Sequence, residues 1–184
     1  MRSQSFRSSS ILLILLVISQ PANGQTKQKL SLPGKLSGGE ILLPNGWKLS
    51  PVGTQTPLGD LPLGMDISPD GRFAIVTNNG VSKPSISVLD LAAQKVVQNI
   101  PVKNAWLGIK FARDGKSFFA SGGNENVVYW FRMQGDTAVL ADTIRFAEAY
   151  PKSNVSVAGL DVDMNDSLLF VACKGDSALR IVNL

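Results

Sequence analysis

Among its 184 residues this sequence has no histidine. That removes imidazole as general base, proton shuttle or metal ligand. The remaining candidates for chemistry are carboxylates, one thiol, an aromatic cluster and Asn/Gly-rich loops. Asp161-Val162-Asp163-Met164-Asn165-Asp166 opens like a calcium loop. Such a loop needs Gly at its sixth position and a bidentate Glu at its twelfth. Asp166 and Ala172 stand there, so no metal site is expected and no cofactor is inferred. Gly122-Gly123-Asn124 lacks the Lys-Ser/Thr pair and following helix of a phosphate loop. Cys173 follows the apolar run Phe170-Val171-Ala172 and has no His or basic pair to activate it, which reads as a buried structural thiol. Tyr129-Trp130-Phe131 lies within a β-branched and aromatic run, where rings usually pack. No catalytic constellation is complete. An enzyme is left open only for the full-length protein.

The elements that would hold these residues are strands. Three stretches align: Leu63-Gly64-Met65-Asp66-Ile67, Leu107-Gly108-Ile109-Lys110-Phe111 and Ala158-Gly159-Leu160-Asp161-Val162. Each is followed by a turn and a second apolar run. The glycines Gly64, Gly108 and Gly159 are 44 and 51 residues apart, close to the repeat length of four-stranded propeller blades. Within the first unit, Met65 and Ile67 alternate with Asp66 as in a strand with one buried face. Ser68-Pro69-Asp70-Gly71 is turn chemistry. Phe73–Thr77, Ser85–Leu91 and Lys95–Val102 supply three more strands, with Val96, Ile100 and Val102 expected on one side of the last. No segment has a convincing helical stripe; the nearest, Thr137 to Ala149, begins where the repeat requires a fourth strand.

The fold class is therefore all-β: a β-propeller of four-stranded antiparallel blades, present here as about 2.7 blades, with an outer strand expected around Trp47 to Thr56. The third unit ends at Ile181-Val182-Asn183-Leu184, level with the third strand of the first, Val88-Leu89-Asp90-Leu91. Residues 41–184 make up this incomplete propeller. In each blade the loops after second strands and the connections between blades share one rim. That rim is expected to hold Trp106, Asn78, Asn79, Asn124 and Asn126 as ligand-binding residues, with Glu125 and Lys174 beside them. The turns Ser68–Arg72 and Ala112–Lys116 belong to the opposite rim.

Residues 1–24 read as a signal peptide: Arg2 and Arg7, an apolar core from Ile11 to Ile18, then Ala22-Asn23-Gly24 before a cleavage point. Eight apolar residues span only about 12 Å as a helix, too short to cross a bilayer. No membrane span is expected after cleavage. Residues 25–40 read as a flexible leader. The formal charge is +4; without Arg2 and Arg7 the balance is 16 basic against 14 acidic side chains. Lys and Arg are scattered, so no nucleic-acid partner is inferred.

Ile75-Val76-Thr77-Asn78, after its Ser-Pro-Asp-Gly turn, resembles the Tyr-Val-Thr-Asn repeat of the surface-layer and lactonase-like β-propellers. Leu43-Pro44-Asn45-Gly46-Trp47, Trp106-Leu107-Gly108-Ile109-Lys110-Phe111 and Ser121-Gly122-Gly123-Asn124 look like a bacterial group in which an exported propeller precedes a phosphoesterase domain of the alkaline-phosphatase type. The resemblance implies a whole of seven blades, a periplasmic or extracellular location, and phosphoesterase residues lying wholly after Leu184. The expected function is ligand recognition or scaffolding, with an unknown ligand or the downstream domain as partner. Two alternatives stay open: a lactonase-like hydrolase with its site in the propeller channel, and a cell-surface propeller that binds proteins.

Overall fold

The computed structural model describes residues 32–184, and these contain strands and no helix. The signal segment and the start of the leader lie outside the described residues. The chain divides into two compact units at Val52/Gly53.

The first unit carries three two-residue strands, β1 (Gly34–Lys35), β2 (Ile41–Leu42) and β3 (Lys48–Leu49), in one antiparallel sheet. Leu43-Pro44-Asn45-Gly46-Trp47 is the tight turn between β2 and β3. The Gly46 amide donates to the Leu43 carbonyl, and the Trp47 amide donates to Asn45 Oδ1. The expected outer strand at Trp47 to Thr56 is thus replaced: only Lys48–Leu49 is extended and paired, and it pairs with β2. The following Ser50-Pro51-Val52-Gly53 stretch cannot continue a ladder, because Pro lacks a donor and Gly53 takes φ 83°.

The second unit is three antiparallel meanders. The first blade is β4 (Pro62–Ile67), β5 (Phe73–Asn78), β6 (Ser85–Asp90) and β7 (Lys95–Pro101). The second is β8 (Ile109–Phe111), β9 (Ser117–Ser121), β10 (Val127–Gln134) and β11 (Thr137–Arg145). The third has β12 (Val157–Val162), β13 (Leu168–Cys173) and β14 (Ala178–Asn183). The architecture is a partial β-propeller, and the segment from Thr137 is a strand.

Two devices explain the repeat. Gly64 lies in the inner strand of the first blade, and any Cβ there would collide with the Leu107 carbonyl of the second. Gly108 bears the same relation to the Ala158 carbonyl of the third. Only a residue without a side chain lets the blades approach this closely. The same glycines donate their amides to a hydroxyl at the end of the neighbouring strand: Gly64 N to Thr77 Oγ1 at 3.0 Å, Gly108 N to Ser121 Oγ at 2.9 Å. The threonine of the Ile-Val-Thr-Asn segment thus satisfies a backbone donor freed where the β4–β5 register slips between Pro62 and Gly64. In the third blade Ala172 takes the hydroxyl's place, and Gly159 faces only its Cβ at 3.6 Å.

Between the first and second blades the core is Phe73, Ile75, Ile86 and Val88 against Ile109, Phe111, Phe118 and Phe131. Phe118 stacks on Phe131 with centroids 4.9 Å apart. Between the second and third blades it is Phe119, Val128 and Trp130 against Val157, Leu169, Val171 and Cys173. Alternate residues of β9 and β10 thus serve opposite interfaces. Cys173 is buried, as its apolar neighbours imply.

Two expectations about side-chain direction are corrected. Met65 is 64% exposed and Ile67 is also exposed, while Asp66 points at the second blade and accepts the Phe111 amide. Strand alternation holds, but the apolar face of β4 is the one that no neighbouring blade covers among the described residues. Val96 does not share a side with Ile100 and Val102. It packs with Ala74, Val76 and Leu89, whereas Val97, Ile100 and Val102 pack toward the second blade. The cause is a bulge: Val88 pairs Gln98 and Leu89 pairs Val96, leaving Val97 as an extra residue that inverts the phase.

Candidate functional site

The three inner strands β4, β8 and β12 run side by side, and their equivalent positions form a charged row. Lys110 Nζ lies 4.0 Å from Asp66 Oδ2 and 3.5 Å from Asp161 Oδ1. One cation sits between two carboxylates, so the row carries a net charge of −1. A shallow pocket of about 240 Å³ beside this row is lined by Asp66, Ile67, Pro69, Lys110, Phe111 and Arg113. The row links three blades electrostatically.

The rim opposite the β4–β5 turn holds the residues singled out from the sequence, and the structure separates them into two kinds. Trp106 is half-buried just before β8, its amide bonded to the Ser121 carbonyl. The Lys174 ammonium sits 5.3 Å from the Trp106 ring centroid, a cation–π contact between the second and third blades. Trp106 and the Asn104 amide flank Gly123, at φ 52°. Asn124 is exposed, and its Oδ1 accepts the Ser156 hydroxyl at 3.1 Å. Trp106, Lys174, Asn104 and Asn124 therefore cluster at one interblade junction. Asn104 was missed in the sequence, where it looks like any polar residue of a connection.

The side chains of Asn78 and Asn126 are buried and hydrogen-bonded within the fold. Asn78, 1% exposed, is the last residue of β5, and its side chain points inward. Its Nδ2 donates to Ser87 Oγ at 2.9 Å, and Ser87 passes the chain on to Asn99 Oδ1 at 2.7 Å. Asn126 is fully buried at φ 56°, a left-handed conformation that Asn tolerates better than most residues. Its Nδ2 donates to the carbonyls of Glu148 and Ser153, and its Oδ1 accepts the Ser156 amide at 2.7 Å. It fastens the connection between the second and third blades. Asn79 is half-buried, its amide bonded to the Leu61 carbonyl; it lies in the first blade, away from the Trp106 junction.

The opposite rim consists of self-satisfied turns. Asp70 accepts the Ser68 hydroxyl and the Arg72 amide. These bonds, Ser68 first, hold its carboxyl below the ordinary value. Asp163 accepts the Ser167 amide and hydroxyl and the Leu168 amide, and the Leu168 bond is the main cause of its depressed pKa. Asp166 accepts the Arg113 and Asp114 amides of the preceding blade. The segment resembling a calcium loop is thus a turn with its carboxylates occupied, and no cluster of metal-ligating side chains occurs among the described residues.

No family model matches this chain, and no curated protein matches it. Solved structures do. Hydrazine synthase of Kuenenia stuttgartiensis matches at 15% identity and TM-score 0.51, covering 73% of this chain and 36% of that one. A Bacteroides uniformis protein assigned as a 6-phosphogluconolactonase matches at 16% identity and TM-score 0.56, covering 78% and 43%. The β-propeller domain of Cps50 (Swd1) from Myceliophteria thermophila matches at 13% identity and TM-score 0.52, covering 71% and 36%. At such identities the likeness shows the fold alone, a β-propeller. The chain spans 36–43% of the length of these structures.

Proposed function

We propose that this chain is part of an exported propeller that recognises a ligand or partner domain through the junction of Trp106, Lys174, Asn104 and Asn124, and performs no chemistry itself. The observation carrying this reading is the half-buried Trp106 with Lys174 over its ring. A large rigid apolar surface, one N–H donor and an adjacent cation form the kind of anchor on which recognition energy concentrates. The absence of any His in this segment is the observation against hydrolysis in its part of the channel. A partner of phosphoesterase type following in the same polypeptide, and a periplasmic or extracellular location, belong to the same proposal. Support for them comes from the Arg-flanked apolar leader and the quoted repeat segments.

The test is a binding measurement on the intact protein against its own downstream region. Loss of binding on Trp106→Ala supports the reading. A downstream sequence without Asp/His metal ligands removes the phosphoesterase part, and a mature N-terminus other than Gln25 removes the predicted cleavage.

A further inference from the structure

Between the first and second blades, on the outer side of the core, lies a cleft of about 370 Å³. That is within the range of small-molecule sites, roughly 300–1,000 Å³. Its inner wall is Val127, Tyr129 and Phe131 of β10; its far wall is Leu140, Thr143 and Arg145 of β11; Ile100, Val102 and Lys103 close it from the first blade, and Glu125 stands at its mouth.

A register slip in β11 shapes this wall. Phe131 pairs Leu140, but Tyr129 pairs Thr143 and Val127 pairs Arg145, with the irregularity between Trp130 and Phe131. Regular alternation from Leu140 would bring Asp142 and Ile144 to the cleft. The extra residue inverts the phase and brings Thr143 and Arg145 instead. Below it, the cleft is pinned open by Gln98, whose amide exchanges two bonds with the Ala138 backbone, Nε2 to O at 3.0 Å and N to Oε1 at 2.7 Å.

Inside this wall is a buried donor. Tyr129 is only 8% exposed; the backbone amides of Lys103 and Asn104 approach its oxygen, and its hydroxyl proton has no acceptor. Burial is the main cause raising its pKa, opposed by the Asn104 and Lys103 backbone amides. A buried hydroxyl proton without an acceptor is costly unless something answers it. Lys103 and Arg145 at the cleft make no ion pair among the described residues, and neither does Glu125.

We propose that this interblade cleft binds a small amphipathic monocarboxylic acid, its apolar body against Val127, Phe131 and Leu140, its acid group answered by Lys103 and Arg145. Tyr129 supplies a hydrogen bond to an acceptor on the buried part of the molecule. Two cations against one Glu favour a single negative charge, and Glu125 disfavours a second. The cleft faces the first blade and the Trp106–Lys174 junction involves the third, and the cleft's own residues carry this proposal.

The experiment is calorimetric titration of the full chain with 3-phenylpropionate and, separately, with its uncharged amide. Saturable binding of the acid is expected, with the amide at least tenfold weaker. Lys103→Gln with Arg145→Gln should remove that preference while leaving amide binding unchanged. Leu140→Trp, at a half-exposed position that tolerates a larger side chain, should fill the cleft and weaken both probes at least tenfold with an unaltered circular dichroism spectrum. Absence of saturable binding overturns the proposal. So does binding of both probes unchanged by Leu140→Trp, since the probes would then sit on the exposed apolar sheet faces.

Discussion

The Asp66 carboxylate accepts the Phe111 backbone amide at 2.8 Å, so the inner strand of one blade is tied to the inner strand of the next by a side chain standing in for a ladder partner. Its neighbour Gly64 makes this possible by letting the Leu107 carbonyl approach its Cα. Blade stacking in this chain depends on paired features: a missing side chain at one residue and a polar one two residues on. Asp161 repeats the position in the third blade, and Lys110 fills it in the second.

Gly64→Ala and Gly108→Ala are expected to destabilise the chain by about 1–3 kcal/mol each, the usual range for overpacking a filled site. The obstructing atoms are backbone carbonyls and cannot rotate away. Gly159→Ala meets only the Ala172 Cβ at 3.6 Å and should change stability by less than about 0.5 kcal/mol. Urea midpoints of the three variants check the contrast. Equal costs at all three positions would mean that interblade approach is not what selects glycine.

Asp60, Asp70 and Asp163 all have depressed pKa values. Hydrogen bonds from Ser82, Ser68 and Leu168 respectively are the leading causes. A carboxylate whose folded pKa lies below its ordinary value of 3.8 stabilises the fold above that value and loses the contribution as pH falls through the folded pKa. Stability should therefore be flat from neutral pH down to about pH 4–5 and fall below it. In Asp163→Asn the fall should be shallower, because one linked proton has been removed. Chemical unfolding across that range measures both slopes.

Leu179 is 66% exposed and Ile181 is 59% exposed on β14, and Met65 and Ile67 are exposed on β4. These strands expose apolar side chains on the two outward faces of the three-blade stack, although Ala74, Val76 and Leu89 on the first face are buried under Leu58 and Val96, and β14 has a free edge among the described residues. Contiguous apolar faces and open edges promote self-association. Residues 53–184 made alone should associate at micromolar concentration. Leu179→Lys with Ile181→Lys should shift them toward monomer without lowering the melting temperature, as read by light scattering and thermal unfolding. A clean monomer before substitution would show that the faces are already covered.

The blades were legible because the turn chemistry and the spaced glycines are local signals. Ser68-Pro69-Asp70-Gly71 specifies a turn whatever surrounds it, and Gly64, Gly108 and Gly159 share a flanking pattern. The bulges were not legible. Nothing in Lys95–Val102 marks Val97 as the extra residue, because its three valine and isoleucine neighbours fit either phase and the choice is made by the facing strand. Nor could the sequence separate Asn124 from Asn126. Both look like turn residues, yet one is exposed and the other holds carbonyls 22 and 27 positions away. Long-range bonds of this kind have no local signature. The Trp47 to Thr56 expectation failed for a related reason: strand-like composition does not say which sheet a segment joins.

The recognition junction yields the last prediction, and it rests on the division among the residues first grouped together. Trp106 is half-buried beneath Lys174, so its ring is partly available and its loss leaves most of the core untouched. Removing such an anchor commonly costs about 2 kcal/mol or more of binding energy, so Trp106→Ala in the intact protein should weaken binding of its partner about thirtyfold, at tenfold per 1.4 kcal/mol. Lys174→Gln, which removes the cation over the ring, should weaken it less and make binding insensitive to salt if the partner is acidic. Asn78→Ala and Asn126→Ala should behave oppositely. Each breaks a buried hydrogen-bond set and should cost about 1–3 kcal/mol of stability, with affinity preserved in the molecules that remain folded. Asp70→Ala and Asp114→Ala on the far rim should leave affinity alone. Measuring affinity and melting temperature for all six variants separates the roles. If Trp106→Ala lowers only the melting temperature while a far-rim variant abolishes binding, Trp106 is a wedge between blades and recognition belongs to the opposite face.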